Sequence, residues 1–399
     1  MDILKPQHKS PITENTVYRN KPNENKKGKL SMCNHENYAI LDIDTIIQQI
    51  AKETTTMNNQ NRWEIPQYTG NQINKAGKII SDPFSTSKEY DDAIIILNNW
   101  RAAHAYPLQV ICSNLRNKNP NAIVVQRLKR LDSIIGKIQR FPNMQLYKMQ
   151  DLGGCRVIVD TIEQVYKSLN QYKTSSIRHI LKREYDYIAN PKPSGYRSYH
   201  IVYQFHSDKK DTYNKNMFIE IQFRTKLQHI WATAVEMMGI YTKSNLKSSQ
   251  GNYDILRFFT LVSSLFALEE GTPVCPNTSE AIDELLSETK YLDKKHNILT
   301  TLRSLNITID YTSKRENTKN KNLYYILLLD YQKMSVSIRS FISSKIENAT
   351  KTYNQIEKYT DKNVVLVSAT SFNTLRLAYP NYFADISEFI NIVYGIYNR

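Results

Sequence analysis

Between residues 217 and 223 every second side chain is apolar: Met217, Ile219, Ile221 and Phe223. Successive side chains of a β-strand point to opposite faces, so this run commits one face to a core. It leaves Glu220, Gln222 and Arg224 together on the other face. An ordinary solvated face would explain such a trio if the strand stood alone.

The strand belongs to a series. Residues 122–125, 155–159 and 200–205 are further short runs rich in β-branched or aromatic residues. Residues 87–105 carry Tyr90, Ala93, Ile94, Leu97 and Trp100 at helical spacing, and Pro107 suits the first turn of a second helix. Residues 133–140 carry Ile134, Ile135 and Ile138 in the same way. Thr161 with Gln164, and Thr225 with Gln228, have the spacing of capping boxes ahead of apolar helices. Strand and helix alternate over 121–223, which predicts an α+β fold with a mixed sheet flanked by helices.

The flanks read differently. Residues 1–65 are dominated by Asn, Lys, Gln, Thr and Glu, a composition that cannot offset ordering entropy by burial. One amphipathic patch, residues 38–50, suits a short helix. Residues 66–253 form the principal domain. Residues 254–305 read as helical, and a Lys/Asn-rich stretch at 316–322 reads as a linker closing a 254–322 connection. A last module, 323–399, reads strand (323–329), strand (334–338), helix (348–359), strand (364–368), helix (385–397).

The net charge is +15, from 53 Lys and Arg against 38 Asp and Glu, which favours a polyanionic partner over an inert basic surface. No signal peptide is visible and no apolar run approaches the ~20 residues of a membrane span. Cys33, Cys112, Cys155 and Cys275 include no Cys-x-x-Cys pair, which argues against a zinc knuckle and a disulfide framework. A cytoplasmic protein is expected.

Three segments carry chemistry. Asp151-Leu-Gly-Gly-Cys-Arg156 places a carboxylate at the mouth of a strand, where ligands bind in such sheets. In the run from Pro191 to His200, two prolines stiffen a loop and Gly195 permits an unusual backbone angle; Tyr196, Ser198 and His200 share a face if the chain is extended. An aromatic ring beside a basic loop suits stacking on a purine. Arg127, Lys129, Arg130, Lys137 and Arg140 crowd one strand–helix unit, a density that fits a triphosphate clamp.

Together these residues resemble the synthetase domain of the RelA/SpoT alarmone synthetases, over roughly 120–240. The matching pieces are Arg127-x-Lys129 with Lys137, Asp151-x-x-Gly154-x-Arg156, Gly195-Tyr196-x-Ser198-x-His200 and Glu220-x-Gln222-x-Arg224-Thr225. The resemblance implies a nucleotidyltransferase-like fold and a pyrophosphokinase acting on ATP. It implies that Arg127, Lys129, Lys137 and Arg156 hold the ATP phosphates, that Asp151 binds Mg²⁺, and that Glu220 completes the metal site or takes the proton of the attacking hydroxyl. Tyr196, His200, Lys192, Gln222 and Arg224 would line the acceptor pocket. There is no His-Asp dipeptide, so the hydrolase domain of long RelA/SpoT members is not expected.

A narrower resemblance, carried by residues 98–108, 126–130 and 150–156, is to toxic small alarmone synthetases, and above all to the CapRel fused toxin–antitoxins of antiphage defence. The last module is similar to their zinc-finger-like domain but lacks metal-binding cysteines, and contains Leu377-Ala-Tyr-Pro-Asn-Tyr-Phe383. By this resemblance the acceptor is the 3′ CCA end of tRNA, Tyr379 or Tyr382 plugs the ATP site, and a phage major capsid or other structural protein is the trigger, with a monomer favoured. The alternatives are a (p)ppGpp-type alarmone synthetase acting on GDP or GTP, and a catalytically inactive RNA-binding module.

Overall fold

The computed structural model divides the chain into two units, residues 1–39 and 40–399. It describes residues 63–242, 244, 246, 250–304, 308–311, 323–330, 335–359, 363–379, 382–383 and 386–399, all in the second unit. The expected polar tail up to residue 62, the helix at 38–50 and the linker at 316–322 lie outside the described residues.

Helices α1 (Gly70–Ser81), α2 (Ser87–Ala103) and α3 (Ala105–Lys118) precede the first strand, β1 (Ile123–Leu128). There follow α4 (Leu131–Arg140), β2 (Gly153–Val159), α5 (Ile162–Lys173), β3 (Ile180–Asp186), β4 (Tyr199–Gln204) and β5 (Phe218–Thr225). Helices α6 (Lys226–Tyr241), α7 (Tyr253–Glu269), α8 (Ile282–His296) and α9 (Ile298–Ser304) come next. The chain then runs through β6 (Thr308–Tyr311), β7 (Leu323–Asp330), β8 (Ser335–Ile342), α10 (Ile346–Tyr359), β9 (Asn363–Ala369), α11 (Phe372–Ala378) and α12 (Ser387–Tyr397).

The strands form one nine-stranded sheet in the order β3-β4-β5-β2-β1-β9-β7-β8-β6. Strands β2 and β5 are parallel, while β1–β2, β4–β5 and β3–β4 are antiparallel. The strands of the last module therefore extend the first sheet. Their junction is short: β9 runs antiparallel to β1 with Gln126 opposite Ser368 and Arg127 opposite Val367. Helix α12, expected within the last module, instead packs with α6, α7 and α9 in a separate helical core containing Trp231, Phe259, Leu299 and Phe389.

The strand alternation holds as read. Ile219, Ile221 and Phe223 are buried against α1–α5, whereas Glu220 and Gln222 are half-buried on the opposite face. Thr225 and Gln228 form a reciprocal capping box. Thr161 caps α5, but the Gln164 side chain accepts from the Asp160 N–H and not from Thr161. The expected absence of a disulfide is corrected: Cys112 on α3 and Cys155 on β2 are bonded, 43 residues apart in sequence. Helix α3 packs directly over β2, a juxtaposition that sequence spacing does not show.

The module is also pinned by a buried ion pair. Arg101 of α2, 1% exposed, reaches Glu357 of α10 at 2.5 Å and lies over the Tyr353 ring. It also donates to Tyr353 Oη and Asn354 Oδ1. Glu357 accepts in turn from the Leu131 N–H at the start of α4 (2.8 Å). Removing one member of a buried pair strands the other charge, which costs about 3–5 kcal/mol, while replacing both with apolar groups is close to neutral. Glu357→Ala should therefore lower unfolding free energy in urea by about that amount, and Arg101→Met/Glu357→Leu should recover most of it.

Candidate active site

Sheet register assembles the site in two rows on one face. Tyr185 of β3 stands opposite His200 of β4, His200 opposite Gln222 of β5, and Gln222 opposite Arg156 of β2. One step along, Val202 stands opposite Glu220, Glu220 opposite Gly154, and Gly154 opposite Arg127 of β1. Residues from five segments thus converge because each occupies the same side of the pleat.

The loop before β4 aims Tyr196 at this face. Gly195 has φ +86°, and a Cβ there would come within 2.8 Å of Trp231 and 3.0 Å of Ser263. Only glycine fits both the angle and the space. Ser263 donates to the Gly195 carbonyl at 2.6 Å, fixing the turn onto α7.

A continuous polar chain results. Glu220 Oε1 lies 3.2 Å from His200 Nδ1, and His200 Nε2 lies 2.8 Å from Tyr196 Oη. Arg224 donates to Tyr196 Oη (3.1 Å) and to Gln222 Oε1 (2.6 Å), and Gln222 donates to Glu220 Oε2 (2.7 Å). Burial opposes charge on His200, but the Tyr196 oxygen and the Glu220 carboxylate outweigh it and raise its pKa to about 9. Burial likewise opposes ionisation of Glu220, yet His200 and the Gln222 amide hold its pKa down to about 2. For Tyr196, burial opposes the phenolate, and His200 and Arg224 lower its pKa to about 7.

Across the rim, Asp151 accepts from Lys129 (2.7 Å) and Lys137 (2.8 Å), one lysine on each oxygen. Burial opposes its charge, and the two ammonium groups lower its pKa nonetheless. Arg156 is short of anions. Burial, together with the neighbouring Arg224 and Arg127, depresses its pKa to about 9. Its Nε and that of Arg224 have no hydrogen-bond partner among the described residues. Three neighbouring guanidiniums, two with unused donors, suit a multiply charged anion such as polyphosphate.

The last module covers this cluster. Tyr379 donates to the Gln126 carbonyl (3.2 Å) and lies within the fields of Arg156, Arg127 and Arg116. Arg156 Nη1 donates to the Ala378 carbonyl (3.3 Å), and His229 Nε2 donates to that of Leu377 (3.1 Å). Tyr382 points elsewhere: its hydroxyl donates to Asn363 in its own module (3.0 Å). Lys192 lies 4.2 Å from the Tyr187 ring centroid and 5.5 Å from that of Tyr196. Sequence reasoning missed Tyr187 and His229. The only signal for Tyr187 was its placement two residues after Tyr185; His229 looked like one residue of an apolar helix.

Residues 126–246 match the family model described as a region found in RelA/SpoT proteins. All site residues from Arg127 to Arg224 fall inside this match, and Tyr379 falls outside. The chain is 33% identical over 133 residues to the GTP pyrophosphokinase YjbM of Bacillus subtilis (strain 168), covering 32% of this chain and 61% of that protein. It is 30% identical over 138 residues to YwaC, a GTP pyrophosphokinase of the same organism, covering 33% and 63%. The GTP pyrophosphokinase of Escherichia coli (strain K12) is 29% identical over 145 residues, 35% of this chain and 18% of that protein. The chain thus spans less than two thirds of these curated relatives. Among solved structures, small alarmone synthetase 1 of Bacillus subtilis bound to its product pppGpp aligns with 41% of this chain and 90% of its own, at 22% identity and TM-score 0.35.

The His200–Glu220 pair offers a direct electrostatic test. The His200 imidazolium stabilises the fold fully below pH 6.5, its unshifted value, and this contribution is lost as pH rises through about 9. In an NMR titration His200 should keep its proton well above pH 6.5, and Glu220→Gln should move its midpoint down.

Proposed function

We propose that this chain is a pyrophosphokinase that transfers the β,γ-diphosphate of ATP to the 3′ CCA end of tRNA, and that its last module holds it closed. The observation that carries the reading is the cluster of Arg127, Arg156 and Arg224 beside the carboxylates Asp151 and Glu220. Phosphoryl-transfer chemistry needs positioning and cationic charge more than covalent help from the protein.

In this reading the acceptor ribose oxygen attacks the β-phosphorus, the bond from that phosphorus to the α,β-bridging oxygen breaks, and AMP leaves. The hydroxyl proton passes to Glu220, which His200 and Gln222 orient, or to solvent where Glu220 instead completes the metal site. Arg127, Arg156, Lys129 and Lys137 bind the phosphates; both lysines exchange Asp151 for phosphate oxygens as ATP enters. Tyr196, with Lys192 and Arg224 near its ring, holds the acceptor base. Asp151 and Glu220 supply hard oxygen donors without a cluster of three His, Cys, Asp or Glu among the described residues. That sparse set suits Mg²⁺ shared with substrate phosphates, where the ion would neutralise charge on the transferring group.

Closure by Tyr379 completes the proposal. The Ala378 carbonyl occupies an Arg156 donor that phosphate would use, and Tyr379 stands beside the same guanidiniums, so the closed state binds ATP poorly. By resemblance to CapRel, a phage major capsid or other structural protein would open the metal-free counterpart of a zinc-finger-like module in the cytoplasm, and transfer to tRNA would stop translation. Among the described residues no helix is long and apolar enough to cross a membrane.

The names of the relatives favour a second reading: alarmone synthesis on GDP or GTP. Incubation with ATP labelled in its β-phosphate and either tRNA or GDP separates the two; label appearing only on the nucleotide would sink the tRNA assignment. A third reading, an inactive RNA-binding module, requires no transfer to any acceptor. Asp151→Asn should reduce transfer on the order of a hundredfold or more, as losses of preorganised charge do. Tyr379→Ala should raise basal transfer, whereas Tyr382→Ala should act only through stability of the module; equal activation by both would contradict the assignment of the plug to Tyr379.

A further inference from the structure

The acceptor face continues beyond Tyr196 to the edge of the sheet. Strand β3 is the outermost strand on that side, and Tyr185 on it is 37% exposed. Its ring stacks on that of Tyr187 with centroids 5.6 Å apart and planes within 3°. Tyr187 then meets Tyr196 edge-on at 6.2 Å and His200 at 5.3 Å. Lys192 lies over the Tyr187 ring. An unbroken set of rings thus runs from the acceptor pocket out to solvent.

Charge on β3 is sorted to match. Glu184 and Asp186 stand opposite Ile201 and Tyr199, on the far face. There Glu184 pairs with Lys173 and Tyr199, while Asp186 accepts from Tyr166 and from the Ile188 and Ala189 N–H groups. Arg183 shares the site face, and its Nη1 donates to Tyr185 Oη at 3.5 Å. The outer face of the pair is therefore aromatic and cationic, the surface on which single-stranded nucleic acid stacks its bases and tracks its phosphates.

We propose that Tyr185 and Tyr187 form a stacking subsite for the nucleobase immediately 5′ to the acceptor nucleotide of an RNA end. The inference rests on the RNA-acceptor reading above and deepens it. A mononucleotide in the pocket beside Tyr196 has no second base to place there, so the pair distinguishes a polynucleotide acceptor from a free nucleotide. Stacking tolerates any base, so the subsite adds affinity without reading sequence.

The test uses the full chain and a short oligoribonucleotide ending in CCA, with 2-aminopurine replacing the penultimate base. Stacking of that base on the pair should quench its fluorescence. Tyr185→Ala should lose the quenching and weaken binding roughly tenfold, and Tyr185→Trp should restore both. Tyr187→Leu, a change on the inner ring, should lose the quenching as well. Oligonucleotide bound with no quenching, or quenching and affinity unchanged in Tyr185→Ala, would overturn the proposal. Quenching as expected with no label transferred from ATP to the RNA would leave the subsite standing and remove the acceptor reading instead.

Discussion

The seam between β1 and β9 is where the whole arrangement is decided. Two registered residue pairs join the first sheet to the last module. Through them β9 delivers α11 and Tyr379 onto the face that carries Arg156 and Arg127. Val125 of β1 already belongs to the same apolar core as Val367 and Tyr379, so the cover over the basic pocket is built from the module's own interior. Without the seam, Arg156 would lose the Ala378 carbonyl while still facing Arg127 and Arg224.

So short a ladder cannot hold the module alone. Helix α10 covers the opposite face of the extension, with Tyr353 and Ile356 buried against Tyr324 and Leu366. The Arg101–Glu357 pair then ties α10 to α2 and to the start of α4. Helix α4 also carries Lys137, which holds Asp151. The module is therefore connected mechanically to both sides of the site: through α11 to the phosphate pocket, and through α10 and α4 to the carboxylate rim. A buried ion pair contributes little net stability but penalises partial separation strongly. Such a joint favours two discrete states over a gradual loosening.

The sequence made much of this readable, for definite physical reasons. Alternation at Met217, Ile219, Ile221 and Phe223 exposes a strand and both its faces at once, so Glu220, Gln222 and Arg224 could be placed together before any fold was known. Strand β3 could not be found that way. Ile180–Asp186 is exposed on both sides at the sheet edge, so burial imposes no alternation on its residues. The Cys112–Cys155 bond and the Arg101–Glu357 pair join distant segments, and local spacing carries no trace of either. Fusion of the two sheets was invisible for the same reason: a buried strand such as Asn363–Ala369 reads as apolar on both faces, whichever neighbour it pairs with. Tyr379 and Tyr382 are equivalent in sequence, yet the fold sends one hydroxyl to Gln126 and the other to Asn363.

Competition between polyphosphate and the module for one set of guanidinium groups is the central claim. Backbone amide exchange over residues 363–379, measured with and without a non-hydrolysable ATP analogue, addresses it most directly. Saturating analogue should accelerate exchange in β9 and α11, because bound phosphates displace the Ala378 carbonyl and Tyr379 from Arg156. Analogue bound with exchange in this segment unchanged or slowed would contradict the account.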